Sequence, residues 1–375
     1  MKKIIVMGAG ILGASTAYHL AKEGTDVIIV DRRHAGQATD AAAGIVCPWL
    51  SQRRNKAWYH LVKGGARYYP SLVKQLEEDG EVNTGYKKVG ALSLHQDEDK
   101  LEKMAERAIK KREDAPEIGE VKILSREETR KLFPLLAEEF GSVYVSGGAR
   151  VNGRAFRDAL LNGALKHGAR HIHGHGSLIF EKDSVRGVQV EGEHLQADEV
   201  VVTGGAWASE LLAPLGIKFK VSFQKAQIIH FQMNGMETDS WPVVMPPGNQ
   251  YLLSFEDGRI VAGATHEDET GYDIRPTAGG MYEILDKAIK IAPGIQNGTV
   301  LETRVGFRPY TPGFLPVVGR APKYSGLLLA NGLGASGLTS GPYLGAELAK
   351  LALDKETELN LNDYPVGDAL EEGNA

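Results

Sequence analysis

The sequence predicts a mixed α/β fold in which a parallel-sheet domain, assembled from three separate stretches of chain, is interleaved with a mainly antiparallel domain. Three observations carry this. The chain opens with an apolar run, a glycine-rich turn and an amphipathic helix. Two later apolar runs, 200–202 and 327–329, also end in glycine-rich loops. The segments between them have the length and composition of antiparallel strands. With 375 residues the chain has room for about two domains.

Taken in order, Ile4 to Met7 reads as a buried parallel strand. Gly8, Gly10 and Gly13 follow, and Ile11, Leu12, Ala17, Leu20 and Ala21 make a helical stripe ended by Gly24. Val27 to Val30 is the second strand. Met1-Lys2-Lys3 and the apolar residues after it resemble a short signal peptide, but the glycines and the polar Ser15, Thr16 and His19 favour strand, turn and helix. Residues 97–131 are rich in Lys and Glu at helical spacing and read as a solvated face. Residues 154–167 form an amphipathic helix before Gly168, and the last helix is expected over 341–353. Segments 90–95, 221–232, 251–255, 259–265 and 302–308 read as antiparallel strands, with Glu256-Asp257-Gly258 as a hairpin turn. The expected division assigns 1–85, 145–220 and 315–366 to the parallel-sheet domain and 86–144 and 221–314 to the other. Residues 367–375 are expected as a disordered tail.

Composition excludes several classes. A net charge of −5, with no basic stripe interleaved with aromatics, argues against nucleic-acid binding. One cysteine, Cys47, excludes a disulfide framework and a cysteine-based metal cluster, and fits a reducing compartment. No run is apolar for long enough to span a bilayer, so the expected location is cytoplasmic, or peripheral to a membrane. His171, His173 and His175 alternate along one strand face, but no acidic or cysteine neighbour completes a ligand set, and no metal is expected.

Gly8-Ala9-Gly10-Ile11-Leu12-Gly13 has the GxGxxG spacing between a strand and a helix. Gly8 makes the turn, Gly10 admits a pyrophosphate, and Gly13 packs helix on strand. The helix N-terminus favours the phosphates. Asp31, with Arg32 beside it, ends the second strand, where a carboxylate can bind a ribose hydroxyl. This motif does not separate NAD from FAD. The three strand-to-glycine loops do: after Met7, after Val202 (Gly204, Gly205, Trp207) and after Ala330 they crowd one sheet edge. A long ligand threading between domains suits extended FAD better than NAD. In the last loop the backbone N–H groups of Gly334, Ala335, Ser336, Gly337, Leu338 and Thr339 precede a helix. They can face the flavin pyrimidine ring, which becomes anionic on reduction.

After Asp31, the stretch Ala38-Thr39-Asp40-Ala41-Ala42-Ala43-Gly44 resembles the second flavin motif of the D-amino-acid oxidase family. That family includes glycine oxidase, sarcosine oxidase and bacterial D-amino-acid dehydrogenases. Further matches follow in order: Gly153-Arg154 with helix 155–167; Ala197 through Trp207; Gly306-Phe307-Arg308-Pro309, then Pro316-Val317-Val318-Gly319. Together they cover most of 1–353. The resemblance implies a Rossmann-like FAD-binding domain, an antiparallel β-sheet substrate domain and non-covalent FAD. It implies that Thr39, Asp40, Ala43, Gly44, Ile45 and Val46 contact the flavin phosphates and ring, and that Leu178 lies at the adenine through its backbone. It further implies that Arg308 clamps a substrate carboxylate with help from Tyr251.

The position of Arg308 agrees with that role. It ends an apolar strand between domains, and its planar fork fits a carboxylate in a bidentate manner; the competing assignment is a structural ion pair. Arg304 shares its strand face by parity and either contacts substrate or covers the sheet edge. Other positions depart from the family. Phe255 stands where glycine oxidase has a basic residue, implying a more apolar pocket. Lys225-Ala226-Gln227 replaces the commoner Arg-Gly-Gln. Val261 stands where sarcosine oxidase has a lysine implicated in oxygen activation. Cys47 reads as a buried, inert thiol and His266 as a surface residue. The expected activity is FAD-dependent oxidative deamination of a small amino acid, a D-amino acid or glycine, by hydride transfer, giving a keto acid and ammonia. Oxidation of a secondary amine (sarcosine, proline or hydroxyproline) is the alternative, as is a flavin subunit of a larger electron-transfer complex. The expected electron acceptor is oxygen, a quinone or a carrier protein, and a homo- or hetero-oligomer is compatible with the chain.

Overall fold

The opening pattern folds as strand Lys3–Met7, helix Ile11–Lys22 and strand Asp26–Asp31. The structure is a computed structural model, and it describes residues 2–372. Lys3–Met7 lies inside a six-stranded sheet. From one edge the order is Val317–Arg320, Leu327–Asn331, Glu199–Val202, Lys3–Met7, Asp26–Asp31 and Arg170–His173. All neighbours are parallel except the first pair. Ile5 sits opposite both Val200 and Ile28. Ile4, Val6 and Ile29 face one core, with Tyr18 and Leu344. Ile5, Met7 and Ile28 face another, with Val188 and Leu215. Burial on both faces is why these strands read as continuous apolar runs.

The second sheet has eight strands. Its order is Thr299–Tyr310, Ser222–Gln232, Arg259–Gly263, Tyr251–Ser254, Val243–Met245, Ala91–His95, Gly141–Val145 and Val121–Leu124. Only the pair Val243–Met245 with Ala91–His95 is parallel. The predicted hairpin turn forms: Asp257 and Gly258 have φ of 56° and 75°, and the Phe255 N–H donates to the Arg259 carbonyl.

Three expectations need correction. Residues 367–372 are not a loose tail. Leu370–Glu372 pairs with Ile217–Phe219, and Val366 and Ala369 are buried in the second core; the remaining 373–375 lie outside the described residues. The final helix is Gly337–Ala352, a turn longer than expected at its start. Pro342 would ordinarily mark the first turn, because it leaves the carbonyl four residues earlier unpaired. Here the Tyr69 hydroxyl donates to that carbonyl, Leu338 O, at 2.5 Å. Finally, the charged stretch 97–131 is not helical throughout. It holds helices Glu98–Arg112 and Arg126–Leu132 around the edge strand Val121–Leu124, whose residues are half-buried or exposed.

Among the described residues no helix is long and apolar enough to cross a membrane, and no group of three His, Cys, Asp or Glu side chains converges as a metal set. The His171 and His173 rings lie with centroids 4.2 Å apart and planes tilted by 56°.

Candidate active site

The glycine turn sets the geometry at one end of a long cleft between the two sheets. Gly8 has φ 104°, and a Cβ there would lie 2.7 Å from the Thr203 carbonyl oxygen. At Gly13 a Cβ would lie 1.8 Å from the Gly8 carbonyl oxygen, so the helix rests directly on the strand. Gly10 caps the helix without a side chain. The Ile11 N–H is taken by the Thr39 hydroxyl at 3.0 Å. The next two amides, of Leu12 and Gly13, have no intrahelical acceptor and are available to an anion.

Asp31 stands at the wall of the same cleft. It accepts from the Ala9 N–H at 2.8 Å, the Arg33 N–H at 2.6 Å and the Gln37 amide. A carboxylate can accept about four hydrogen bonds, so it retains capacity for a ribose hydroxyl. Arg32 lines the cleft beside it, held by Glu210 at 3.0 Å and by His175. Trp207 lines the cleft too, with His34 stacked flat on its ring at 4.8 Å.

Most residues singled out from sequence meet at this cleft. Gly8, Gly10, Ile11, Leu12 and Thr39 line it at the helix end, and Ala43, Gly44 and Ile45 along one wall. Gly204, Gly205, Gly334, Ala335, Gly337 and Leu338 come in from the other two glycine loops. Others sit behind it. Gly13 is packed under the turn. Asp40 is turned away, its carboxylate paired with Arg157 and its carbonyl accepting from Arg154 and Arg304. Val46 is buried. Ser336 accepts from the Trp58 indole N–H at 3.0 Å, and the Thr339 hydroxyl donates to the Ile45 carbonyl at 2.8 Å. Leu178 is buried in the second core, and Gly174, His175 and Gly176 form the wall instead. Sequence reasoning missed these three. Their signal was present: Arg170–His173 is a fourth strand running into a glycine turn, the same rule that found the other loops.

At the far end of the cleft stand Arg308 and Tyr251. The Arg308 Nη1 is buried and has no hydrogen-bond partner among the described residues. The Tyr251 hydroxyl is hydrogen-bonded to Arg308; burial raises its pKa, opposed by the guanidinium charge. Tyr251 therefore stays protonated and can donate. Gly263, opposite Tyr251 in the sheet, makes this possible. A Cβ there would lie 2.7 Å from the Tyr251 hydroxyl, so the ring needs the space a glycine leaves.

The open questions on neighbouring residues resolve. Arg304 contacts Glu302 at 2.6 Å and the Asp40 carbonyl, and does not reach the cleft. Phe255 does not shape the pocket; the Arg150 guanidinium lies 4.7 Å over its ring. Lys225 is buried, with its ammonium on the Arg275 carbonyl at 2.9 Å and Asp273 at 3.5 Å. Val261 is buried in the core. Cys47 is buried, and burial pushes its thiol up to about 12. His266 is exposed and feels the charge of Arg308.

The cleft holds about 1610 Å³ of non-atom space, its open mouth included. Its lining runs from the Gly8 turn to Arg308 and draws on all three glycine loops, which suits an extended dinucleotide with a substrate at one end. The profile of the DAO family, described as FAD dependent oxidoreductase, matches residues 3–351. The chain belongs to this family. The glycine cradle, the free helix amides, Asp31 and the loop at Gly334 fit its cofactor, FAD. An uncharacterized oxidoreductase, YurR, from Bacillus subtilis strain 168 is 64% identical over 99% of this chain and 100% of its own length. A glycine oxidase from Pseudomonas putida KT2440 is 31% identical over 91% of this chain and 92% of its own. Among solved structures, an iminodiacetate oxidase from Chelativorans sp. BNC1 superposes with a TM-score of 0.93. It is 44% identical, with 96% of this chain and 98% of that one covered. The family resemblance read from the motifs and the mixed α/β flavoenzyme fold are thereby confirmed.

Proposed function

We propose that this flavoenzyme oxidises the carbon–nitrogen bond of a small amino acid, with Arg308 and Tyr251 holding the α-carboxylate. The observation that carries this reading is the buried, unpartnered Nη1 of Arg308 beside the Tyr251 hydroxyl, at the end of the cofactor cleft. A permanently charged, buried donor without an internal acceptor is costly, and a substrate carboxylate would satisfy it.

Bound FAD would be held by the glycine cradle, Asp31 and the loop at Gly334, and would supply a two-electron acceptor for the α-hydrogen. The chain's part is to bind and orient. Arg308 anchors the carboxylate, and the Tyr251 hydroxyl adds a second donor, fixing which face of the α-carbon meets the cofactor. The substrate enters with its amine neutral. As the C–H bond breaks, the nitrogen lone pair forms the C=N bond, and a nitrogen proton passes to solvent. Water then adds to the imine, giving a keto acid and ammonia. Among the described residues that line the cleft the one carboxylate is Asp31, assigned to the cofactor, and orientation with electrostatics suffices.

A second reading, oxidation of a secondary amine, is favoured by the 44% identity to an iminodiacetate oxidase. Hydrolysis of its imine would release a primary amine in place of ammonia. An anaerobic screen tests both: bleaching of the bound flavin by D- and L-amino acids, glycine, sarcosine and iminodiacetate, with assay of the nitrogen product. Bleaching by none of them would refute the reading. Oxygen uptake compared with dye-linked turnover separates oxygen from a quinone or carrier as acceptor. Acid precipitation of the same preparation should release FAD, since Cys47 is buried away from the cleft.

A further inference from the structure

We propose that Arg53 is a specificity residue that reads a second carboxylate, so that the preferred substrate is an amine flanked by two carboxylates. This rests on, and deepens, the reading of Arg308 as anchor of the first.

Arg53 is placed by its contacts with Phe314 and Trp58, each of which connects to a segment that lines the cleft. Its Nη2 donates to the Phe314 carbonyl at 2.5 Å. The Phe314 ring stacks on Tyr310 with centroids 5.0 Å apart. Tyr310 lies two residues beyond Arg308 on strand Thr299–Tyr310 and so projects on the same face. On its other side, the Arg53 guanidinium lies 4.8 Å from the Trp58 ring. The Trp58 indole N–H donates to Ser336, inside the glycine loop that lines the cofactor cleft. The two loops approach each other below: a Cβ at Gly332 would lie 2.0 Å from the Thr311 hydroxyl. Arg53 therefore bridges the strand that carries the anchor and the loop that faces the cofactor.

Its charge is uncommitted. Among the described residues no carboxylate pairs with Arg53, whose hydrogen bond goes to a neutral carbonyl and whose flat face rests on an indole. By contrast Arg150, Arg157 and Arg304 are each neutralised by an acid. A guanidinium makes five N–H donations, and one is used here. Arg53 is exposed, with its guanidinium held against an aromatic plate, an arrangement suited to a carboxylate arriving from solvent. A molecule with a carboxylate on each side of its nitrogen could place one on Arg308 and present the other outward.

The test uses three probes on the holoenzyme: iminodiacetate, its monoamide, in which one carboxylate becomes a neutral group of similar shape, and sarcosine. Anaerobic flavin reduction over a concentration series yields an apparent Kd and a limiting rate for each. The native enzyme should bind iminodiacetate at least about tenfold more tightly than the monoamide. Arg53→Gln should remove most of that preference by weakening iminodiacetate, and Arg53→Lys should restore part of it. The limiting rate should change less than the Kd, since Arg53 lies outside the reacting atoms. FAD content confirms that each variant is folded. Equal weakening of diacid and monoamide would reduce Arg53 to a packing role and overturn the proposal, as would a native enzyme that does not distinguish them. Reduction by sarcosine alone would sink the second-carboxylate idea while leaving amine oxidation intact. No reduction by any probe or amino acid would instead refute the underlying reading.

Discussion

Removing Arg308 is the sharpest test of the site. In most proteins, truncating a buried arginine strands its acidic partner. Here the Nη1 has no partner among the described residues, and the hydrogen bond lost is one with Tyr251. The penalty of Arg308→Ala should therefore fall on the bound substrate, whose carboxylate would lose its cation. Truncating one partner of a buried charge pair costs roughly 2–5 kcal/mol. At about 1.4 kcal/mol per decade, kcat/KM for a small amino acid should fall by at least about 30-fold. Arg308→Lys should recover only part, because a point charge does not reproduce the fork. The assay is stopped-flow flavin reduction, first with the amino acid and then with the matching amine that lacks the carboxylate. FAD content and reduction by dithionite should be unchanged, and thermal stability equal or higher. Equal loss on both compounds would show that Arg308 is not the carboxylate anchor. A melting temperature lower by many degrees would show that it serves the fold.

The other expectations are more local. Asp31→Ala should weaken FAD binding without altering substrate preference; a hydrogen bond to a charged group contributes about 1.5–3 kcal/mol, and a fluorescence titration that finds native affinity would argue against its role at the ribose. Gly263→Ala should push the Tyr251 ring aside, since the added Cβ would meet its hydroxyl at 2.7 Å; KM should rise with FAD content constant, and an unchanged KM would remove Tyr251 from the site. The acid side of the stability profile should show His19. It is half-buried, with Nδ1 on the Ser15 carbonyl at 2.7 Å and Nε2 on the Tyr68 hydroxyl at 2.6 Å, and desolvation lowers its pKa to about 4. The unfolded chain takes up this proton near pH 6.5 and the folded chain only near 4. Stability should therefore fall as pH drops through that window. In His19→Gln the slope of melting temperature against pH should be shallower there, whatever the substitution does to stability at pH 7.5; an identical slope would refute the assignment.

Much of this fold was legible because its signals are local. A strand that ends in closely spaced glycines is written within a dozen residues, and Gly8 and Gly13 leave no room for any side chain. What stayed hidden depends on partners distant in sequence. The first turn of the final helix, at Gly337, required Tyr69 to satisfy Leu338. The strand Leu370–Glu372 required Ile217–Phe219. Asp40, Ser336 and Thr339 lie inside motifs that do line the cleft, yet each turns to a protein partner: Arg157, Trp58 and the Ile45 carbonyl. A motif places a stretch of backbone; it does not say which of its side chains face the ligand.

The arginines make the same point in chemical terms. Strand parity puts Arg304 and Arg308 on one face and cannot tell them apart. Their partners can. Arg304 is neutralised by Glu302 two residues away, as Arg150 is by Asp239 and Arg157 by Asp40, and that contact completes its role inside the fold. Arg308 keeps a buried donor open at the end of the cofactor cleft. Burying that donor unpaired lowers the stability of the ligand-free chain, typically by about 1–3 kcal/mol or more when the group is charged. A fold tolerates such a cost where something outside the chain completes the hydrogen bond, and the unsatisfied atom is what supports the proposed position of the substrate on that side of the cleft.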